Sequence, residues 1–160
     1  MNSNPEKAVI LAGSSATFEG IPVSEYPKIL LPIANIPLID YIKSALEAVG
    51  VRRIIVLLDS RSAGASGYLS ELFKNSLSVL ECVVQPIPRG TGGSLKEIEG
   101  RLQGEPFWVV NGDLFLITDL REMLARHREM GSIVTIGSMR INETAWYKER
   151  IQIEAGQRVK

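Results

Sequence analysis

One aspartate, Asp113, follows an apolar run and is placed where it could bind a metal ion. The run Phe107–Val110 predicts a buried strand, and Asn111 and Gly112 separate it from the carboxylate. A carboxylate at the end of such a strand suits a hard cation such as Mg²⁺, which takes oxygen ligands and keeps several waters. The competing interpretation is that Asp113 caps a turn, as aspartate often does. The spacing alone leaves both open.

A loop of small residues follows another apolar run near the start of the chain. Ala8–Leu11 predicts a strand buried on both faces, and Gly13, Ser14 and residues 15–17 come after it. Small side chains let backbone N–H groups approach a phosphate, so this loop is a candidate phosphate site. It matches neither the G-x-G-x-x-G fingerprint nor the Walker A loop. A flexible connection is an equally good interpretation.

A third candidate segment, residues 85–93, joins a stiff proline arm to a glycine turn. Gln85 carries an amide that can both donate to and accept from a base edge. Gly90 and its neighbours let the backbone come close to a base or a ribose. Ser94 and Glu97 have the spacing of a capping box, which marks a helix start. In the alternative interpretation the segment is a rigid loop that leads into this helix.

Strands and helices alternate along the chain, and this alternation positions the three segments. The predicted strands cover residues 8–11, 53–58, 77–84, 107–110 and 133–136, with a short one at 151–153. The predicted helices cover residues 38–49 and 68–73, a segment that begins at 90–93, and residues 119–131. This order predicts a Rossmann-like three-layer α/β/α domain with a mostly parallel sheet. Because ligands bind outside the carboxyl ends of parallel strands, we expect the three segments to share one edge.

Composition excludes several classes of protein. Of the 160 residues 45% are hydrophobic and 22% charged, which excludes a disordered tail, a collagen-like fibre or a disulfide scaffold. Eighteen basic residues balance eighteen acidic ones, so broad nucleic-acid binding is disfavoured. Cys82 is the single cysteine, which fits a reducing compartment. No apolar run reaches the roughly 18 residues of a membrane span, and residues 1–7 do not read as a secretory signal. We therefore expect a cytoplasmic protein without a nucleic-acid or membrane partner.

Four sequence motifs that occur in a fixed order identify a protein family more specifically than any one of them does alone. They are Ala8–Gly13, then Pro27–Lys28 with Leu30–Asn35 and Pro37–Ile39, then Arg89–Leu95, and finally Val109–Asp113. In this order the chain resembles the N-terminal part of the sugar-phosphate nucleotidyltransferases. That family makes nucleotide sugars from a nucleoside triphosphate and a sugar 1-phosphate. The resemblance covers nearly the whole chain.

The resemblance implies a role for each motif. It implies that the nucleotide is bound by Leu11, Ala12, Gly13, Ser14, Gln85, Gly90 and Thr91. It implies a catalytic role for Lys28 at the phosphates and for Asp113 as the Mg²⁺ ligand. The sugar phosphate would attack the α-phosphorus in line and release pyrophosphate, a reaction that depends on positioning and charge neutralisation. The Gly90 turn and the end of the fourth strand resemble the mannose- and heptose-1-phosphate guanylyltransferases, which favours GTP. A homo-oligomer is compatible with the sequence.

The chain departs from the family pattern in two places. Where the family's signature loop reads G-G-x-G-T-R, residues Gly13–Phe18 lack two of the glycines and have Phe18 at the arginine position. Loss of such a transition-state contact typically costs on the order of 10³-fold in rate, and Arg89 is a hypothetical substitute. The chain also stops at Lys160, before the sugar-binding half that carries a second metal carboxylate. We expect one nucleotide-binding domain over residues 1–160 that lacks this half.

The altered loop leaves the activity of the chain undecided. The first hypothesis is a nucleotidyltransferase. The second is a catalytically degenerate regulatory or scaffolding domain of the same fold, such as those in translation-initiation exchange-factor subunits. A nicotinamide-dependent dehydrogenase is disfavoured because its glycine fingerprint is missing.

Overall fold

The computed structural model of the protein describes residues 5–13, 27–87 and 89–138. In chain order its elements are β1 (Lys7–Leu11), a 3₁₀ turn (Lys28–Leu30), β2 (Pro32–Ile33), β3 (Ile36–Pro37), α1 (Leu38–Ala48), β4 (Arg53–Asp59), α2 (Ala65–Leu72), β5 (Val79–Gln85), α3 (Gly90–Glu97), α4 (Glu99–Leu102), β6 (Phe107–Asn111) and α5 (Leu120–Glu129). The chain divides into two compact units, Met1–Leu120 and Arg121–Lys160. The single domain expected over residues 1–160 stays a prediction.

A parallel sheet with the strand order β5–β4–β1–β6 forms the centre of the first unit. Strand β1 lies between β4 and β6, and Leu11 is in register with Leu57 on one side and with Asn111 on the other. The short strands β2 and β3 form a separate antiparallel pair. The predicted fold class, a mostly parallel α/β sheet, is confirmed.

The two central strands, β1 and β4, are buried on both faces because their inner residues are apolar. All residues of β4 except the first are buried, as expected for a parallel strand between two helical layers. On one face Val9 and Ile55 pack in a core cluster with Ile98 and Leu102 from α3–α4. The chain moves from β1 to β4 to β5 through α1 and α2, and then returns through α3–α4 to the other side of β1. Right-handed crossovers therefore place α1 and α2 on the opposite face.

Helix α1 forms where apolar residues recur every three or four positions. Leu38, Ile39, Ile42 and Leu46 are buried along one stripe. Gly50, with φ of 97°, lies just beyond the end of the helix in the left-handed conformation typical of this position.

The carboxylate of Glu47, in the last turn of α1, ties the helix to the segment before β5. It accepts hydrogen bonds from the Ser76 hydroxyl and from the backbone N–H and hydroxyl of Ser78, the latter two at 3.1 and 2.6 Å. Lys43 donates to it at 3.3 Å. Burial alone would raise the pKa of Glu47, but these hydrogen bonds outweigh it and hold the pKa below its ordinary value.

Two sequence predictions are wrong. Residues 133–136 form no strand, and the side chain of Ile133 is 99% exposed. A run of β-branched residues becomes a strand only where a neighbouring strand takes its backbone hydrogen bonds, and among the described residues none pairs with it. The capping box is also wrong, because α3 begins at Gly90 and so contains both Ser94 and Glu97.

In the second unit the structure describes residues 121–138, which include most of α5. His127 lies in this helix, and its Nδ1 is 2.9 Å from the Thr135 hydroxyl. The strand predicted at 151–153 lies outside the described residues. Within the described ranges no helix is both long enough and apolar enough to cross a bilayer.

Candidate functional site

The carboxyl ends of the four parallel strands lie at one edge of the sheet. Asn111 pairs with Leu11, Leu11 pairs with Leu57, and Asp59 pairs with Gln85 two residues further along β4. The chain connections run in opposite directions on the two sides of β1, which makes the β1–β6 boundary a topological switch point. Open parallel sheets bind ligands in the crevice outside such a point. We call the space beside the residues that follow β1 and β6 the β1–β6 crevice.

Backbone atoms of two strand ends are packed tightly at this crevice. The Gly112 N–H donates to the Leu11 carbonyl at 2.8 Å. A Cβ on Gly112 would lie 3.0 Å from that same oxygen and 3.3 Å from the Ala12 Cα, which is closer than side chains normally approach. On the other side, a Cβ on Gly13 would lie 3.1 Å from the Asp59 nitrogen. The end of β6, and with it the start of the turn to Asp113, is therefore held against β1 by backbone contacts.

The two residues with implied catalytic roles, Lys28 and Asp113, lie together. Lys28 begins the 3₁₀ turn after Pro27, and buried Ile29 anchors this turn. The Lys28 Nζ is 3.7 Å from Asp113 Oδ2, with 10% of the lysine side chain and 39% of the aspartate side chain exposed. The fold thus places an ammonium group next to a partly exposed carboxylate at the end of β6. An ammonium group suits a phosphate, and the carboxylate suits a divalent cation.

The donor set near Asp113 fits Mg²⁺. This ion is usually bound by one or two carboxylates together with substrate phosphates and water, not by a cage of protein ligands. No group of three His, Cys, Asp or Glu side chains within the described ranges has the arrangement of a metal site. A site built from the Asp113 carboxylate and phosphate oxygens is consistent with both points.

Gln85, the last residue of β5, is buried and already bonded to α3. Its Nε2 donates to Glu97 Oε2 at 3.0 Å and to the Ser94 carbonyl at 3.3 Å. The Arg89 Nε lies 3.8 Å from the same glutamate oxygen. The sequence pattern of a helix cap at Ser94 and Glu97 does not predict this contact. The three-residue spacing of Ser94 and Glu97, which places them on one helical face, was the available signal.

Gly90 and Thr91 stand at the start of α3, at the same edge of the sheet. Gly90 has φ of 69°, in the left-handed region that glycine adopts without strain. Thr91 is exposed in the first turn of the helix. Because β4 lies between β1 and β5, this helix start is separated from Gly13 by the end of β4.

The end of β4 contributes a carboxylate, Asp59, which no sequence motif marked. Its Oδ1 accepts the Ser62 N–H at 2.7 Å, and its Oδ2 accepts from Arg61 Nη2 at 3.2 Å. Burial would raise the pKa of Asp59, but the hydrogen bonds from Ser62 and Arg61 outweigh burial and lower it. Asp59 therefore stays ionised and caps the turn after β4.

Several candidate residues lie outside the described part of the chain. Ser14 and the rest of the altered loop up to Phe18 belong to this group. Arg89, the hypothetical substitute for the missing arginine, is described and pairs with Glu97. Its substitution for the arginine stays a prediction, as do the roles of Leu11, Ala12 and Gly13.

Comparison with known proteins identifies the family. The sequence profile of the nucleotidyl transferase family matches residues 7–147. Mannose-1-phosphate guanylyltransferase 1 of Arabidopsis thaliana is 31% identical over 157 residues, which cover 96% of this chain and 43% of that protein. D-glycero-alpha-D-manno-heptose 1-phosphate guanylyltransferase of Aneurinibacillus thermoaerophilus is 28% identical over 141 residues, covering 88% of this chain and 60% of that one.

A solved structure extends the comparison to the fold. The crystal structure of HddC from Yersinia pseudotuberculosis matches with a TM-score of 0.62 and 28% identity, over 76% of this chain and 54% of HddC. The chain therefore spans between about two fifths and three fifths of the length of these relatives. From the profile match over most of its length, the chain belongs to the nucleotidyl transferase family.

Proposed function

We propose that the protein transfers a nucleotidyl group from a nucleoside triphosphate to a sugar 1-phosphate, with Mg²⁺ as cofactor and pyrophosphate as the second product. The observation that carries this proposal is the Lys28–Asp113 pair at the β1–β6 crevice. It combines a cation for phosphate oxygens and a carboxylate for a metal at the switch point of a parallel sheet. The membership of the family supports the same reaction.

The chain's own residues act by positioning. Lys28 contacts phosphate oxygens of the triphosphate, and the backbone of Leu11–Gly13 lines the nucleoside pocket beside it. Asp113 holds Mg²⁺, which when bound neutralises phosphate charge. A phosphate oxygen of the sugar 1-phosphate attacks the α-phosphorus, the bond from the α-phosphorus to the bridging oxygen of the β-phosphate breaks, and pyrophosphate leaves. Catalysis of this type requires alignment and charge neutralisation, not a protein nucleophile.

GTP is the proposed nucleotide. The two curated relatives compared above are named as guanylyltransferases of mannose 1-phosphate and of a manno-heptose 1-phosphate. A further structure of HddC is complexed with GMP-PN and is 25% identical to this chain. The cytoplasm is the proposed location, since the single cysteine, Cys82, is free in the structure.

A regulatory or scaffolding domain is the second candidate function. Phe18 at the signature arginine position favours it, because the triphosphate loses a cationic partner there. Arg89, which could replace this arginine, is paired with Glu97. A domain of this kind would keep the sheet and bind a triphosphate weakly or not at all.

Calorimetric titration with GTP, with and without Mg²⁺, separates the two candidates. An enzyme should bind GTP more tightly with Mg²⁺ and should release pyrophosphate when mannose 1-phosphate or a heptose 1-phosphate is added. Loss of a metal's outer-shell partner already costs about 10- to 100-fold in metal affinity, so Asp113→Asn should abolish the Mg²⁺ effect. The matched control is Glu71→Gln, an exposed carboxylate paired with Lys74 on α2.

The outcomes are distinct. GTP binding that responds to Mg²⁺ in the wild type and in Glu71→Gln, but not in Asp113→Asn, supports the proposed site. Weak binding that is the same with and without Mg²⁺, together with no pyrophosphate release from any of the four common nucleoside triphosphates, supports the scaffolding domain.

A further inference from the structure

We propose that Tyr41 is a positioning residue that holds Lys28 and Asp113 opposite each other at the β1–β6 crevice. Its side chain contacts two separate segments of the chain, one that follows Lys28 and one that follows Asp113. The inference rests on the proposed role of this pair in binding a triphosphate together with Mg²⁺. It adds a residue that acts on the pair through the neighbours of both members.

The first contact of Tyr41 fixes the hairpin that follows the Lys28 turn. The Tyr41 hydroxyl donates a hydrogen bond to the Ile33 carbonyl at 3.0 Å. Ile33 ends β2, and the next two residues, Ala34 and Asn35, have φ values of 50° and 64° although neither is glycine. A left-handed conformation costs free energy in alanine and persists where surrounding contacts hold it. The Tyr41 hydroxyl supplies such a contact at the residue immediately before the turn.

The second contact of Tyr41 fixes the segment that follows Asp113. The rings of Tyr41 and Phe115 meet edge to face, with 5.0 Å between their centroids and 61° between their planes. Aromatic pairs prefer this geometry. Residues 114–118 belong to no helix or strand, so no regular element fixes their backbone. The Gly112 N–H holds the turn at Asp113 from one side, and the Phe115 ring holds it from the other.

The start of α1 gives both contacts a common fixed point. Tyr41 lies in the first turn of this helix, whose apolar face is buried in the core. The Leu38 N–H donates to the Leu31 carbonyl at 2.9 Å, which ties the helix start to the end of the Lys28 turn. Because the helix is packed in the core, Tyr41 holds the two segments in one relative position. It thereby maintains the distance of 3.7 Å between Lys28 Nζ and Asp113 Oδ2.

Tyr41 therefore acts as a link in series, which either of two mild substitutions breaks. Tyr41→Phe keeps the ring contact and removes the bond to Ile33, whereas Phe115→Leu keeps that bond and removes the ring contact. Each variant should lose about 3- to 10-fold in GTP affinity with Mg²⁺, a part of the roughly 10- to 150-fold cost of a lost ammonium–phosphate hydrogen bond. The affinity for guanosine, which has no phosphate, should not change.

The double variant distinguishes a link in series from two unrelated contacts. Tyr41→Phe combined with Phe115→Leu should bind GTP as weakly as the weaker of the two single variants, because a broken link cannot be broken again. Two independent structural roles would instead multiply the two losses.

Calorimetric titration and urea unfolding of each variant measure affinity and stability separately. Phe73→Leu is the control for the lost ring: Phe73 is 8% exposed, and Lys43 of α1 lies over its ring at 5.8 Å from the centroid. Because this ring is more buried than that of Phe115, its loss should destabilise the protein more. Tyr68→Phe is the control for the lost hydroxyl, since the Tyr68 hydroxyl lies 3.5 Å from Asp40 Oδ2. Both controls should leave the affinity for GTP unchanged.

A second measurement needs no nucleotide. In a double-mutant cycle followed by urea unfolding, Lys28→Met and Asp113→Asn report the energetic coupling between the two side chains. This coupling should be present in the otherwise wild-type protein. It should disappear in the Tyr41→Phe and Phe115→Leu backgrounds, because the two side chains are then no longer held opposite each other.

The outcomes separate this inference from the proposed function. Wild-type affinity for GTP in both single variants, multiplied losses in the double variant, or a coupling that survives in both backgrounds overturns the role of Tyr41 and leaves the proposed function standing. No binding of any triphosphate by the wild type refutes the proposed function, and the stability cycle then decides the role of Tyr41 by itself.

Discussion

Replacement of Lys28 by methionine tests whether the ammonium group at the β1–β6 crevice binds phosphate or supports the fold. Methionine keeps the apolar stem of the lysine, which matters because only 10% of the side chain is exposed. It removes the charge that lies 3.7 Å from Asp113. We expect a large loss of triphosphate affinity and a small loss of stability.

The expected losses of affinity and of stability differ in size because Lys28 contacts the Asp113 carboxylate in the folded protein and, in the proposed complex, a phosphate. Asp113 is 39% exposed and can be hydrated when its partner is lost. An ion pair with one partly exposed partner contributes about 1 kcal/mol or less, so loss of the contact with Asp113 should lower the free energy of unfolding by about that amount. A hydrogen bond from an ammonium group to phosphate is worth about 1.5–3 kcal/mol, which corresponds to roughly a 10- to 150-fold loss of GTP affinity.

Calorimetry with GTP and with guanosine, together with urea unfolding, measures both quantities. Guanosine has no phosphate, so Lys28→Met should leave its affinity unchanged. Lys7→Met is the matched control, because Lys7 is also largely buried (18% exposed) and lies 3.4 Å from Glu105, but at the amino end of β1. Equal losses of affinity for GTP and guanosine, or a GTP affinity that does not change, would refute the assignment of Lys28 to the phosphates.

Two further substitutions test the elements that support the site. Gly112→Ala places a methyl group 3.0 Å from the Leu11 carbonyl and should destabilise the protein by about 1–3 kcal/mol and weaken GTP binding; an unchanged urea midpoint would show that the end of β6 adapts. Glu47→Gln removes the charge that accepts hydrogen bonds from Ser76 and Ser78 and should cost about 1–3 kcal/mol at pH 7. Because the folded pKa of Glu47 lies below its ordinary value of 4.5, this stability is present above pH 4.5 and is lost as the pH falls through the folded pKa. Urea unfolding of the wild type and of Glu47→Gln should therefore show a difference in stability at pH 7 that shrinks below pH 4.5. A stability difference that does not change with pH would contradict the reasoning.

The central strands and α1 could be predicted from the sequence because burial leaves a pattern in it. Continuous Val, Ile and Leu runs mark β1 and β4, since a parallel strand between helical layers has no polar face. The spacing of Leu38, Ile42 and Leu46, followed by Gly50, marks α1 and its end.

Features that depend on tertiary partners could not be predicted in this way. The apolar run at 133–136 has the composition of a strand, but the backbone pairing that makes a strand comes from a neighbour and not from the run itself. The contact between Glu97 and Gln85 depends on where α3 packs against β5, and local spacing favoured a cap instead. The separate sequence motifs that contain Lys28 and Asp113 do not predict that these side chains lie 3.7 Å apart. Their distance follows from the position of β6 beside β1 and from the 3₁₀ turn after Pro27.

Positive charge at the described part of the carboxyl edge is matched by negative charge. Three basic side chains there each lie within 4 Å of a carboxylate: Lys28 with Asp113 at 3.7 Å, Arg61 with Asp59 at 3.2 Å, and Arg89 with Glu97 at 3.8 Å. An incoming triphosphate therefore meets cations that already have partners, and each contact with phosphate competes with an existing ion pair.

This balance gives the phenylalanine at position 18 a specific consequence. The family pattern described above has an arginine at this position, and its guanidinium would add positive charge for the phosphates. Under the proposed function, a divalent cation on the Asp113 carboxylate would neutralise that carboxylate and so weaken its competition with the phosphates for Lys28. Mg²⁺ and Lys28 should therefore act together: in a double-mutant cycle Asp113→Asn and Lys28→Met should lose less GTP affinity combined than the sum of their separate losses.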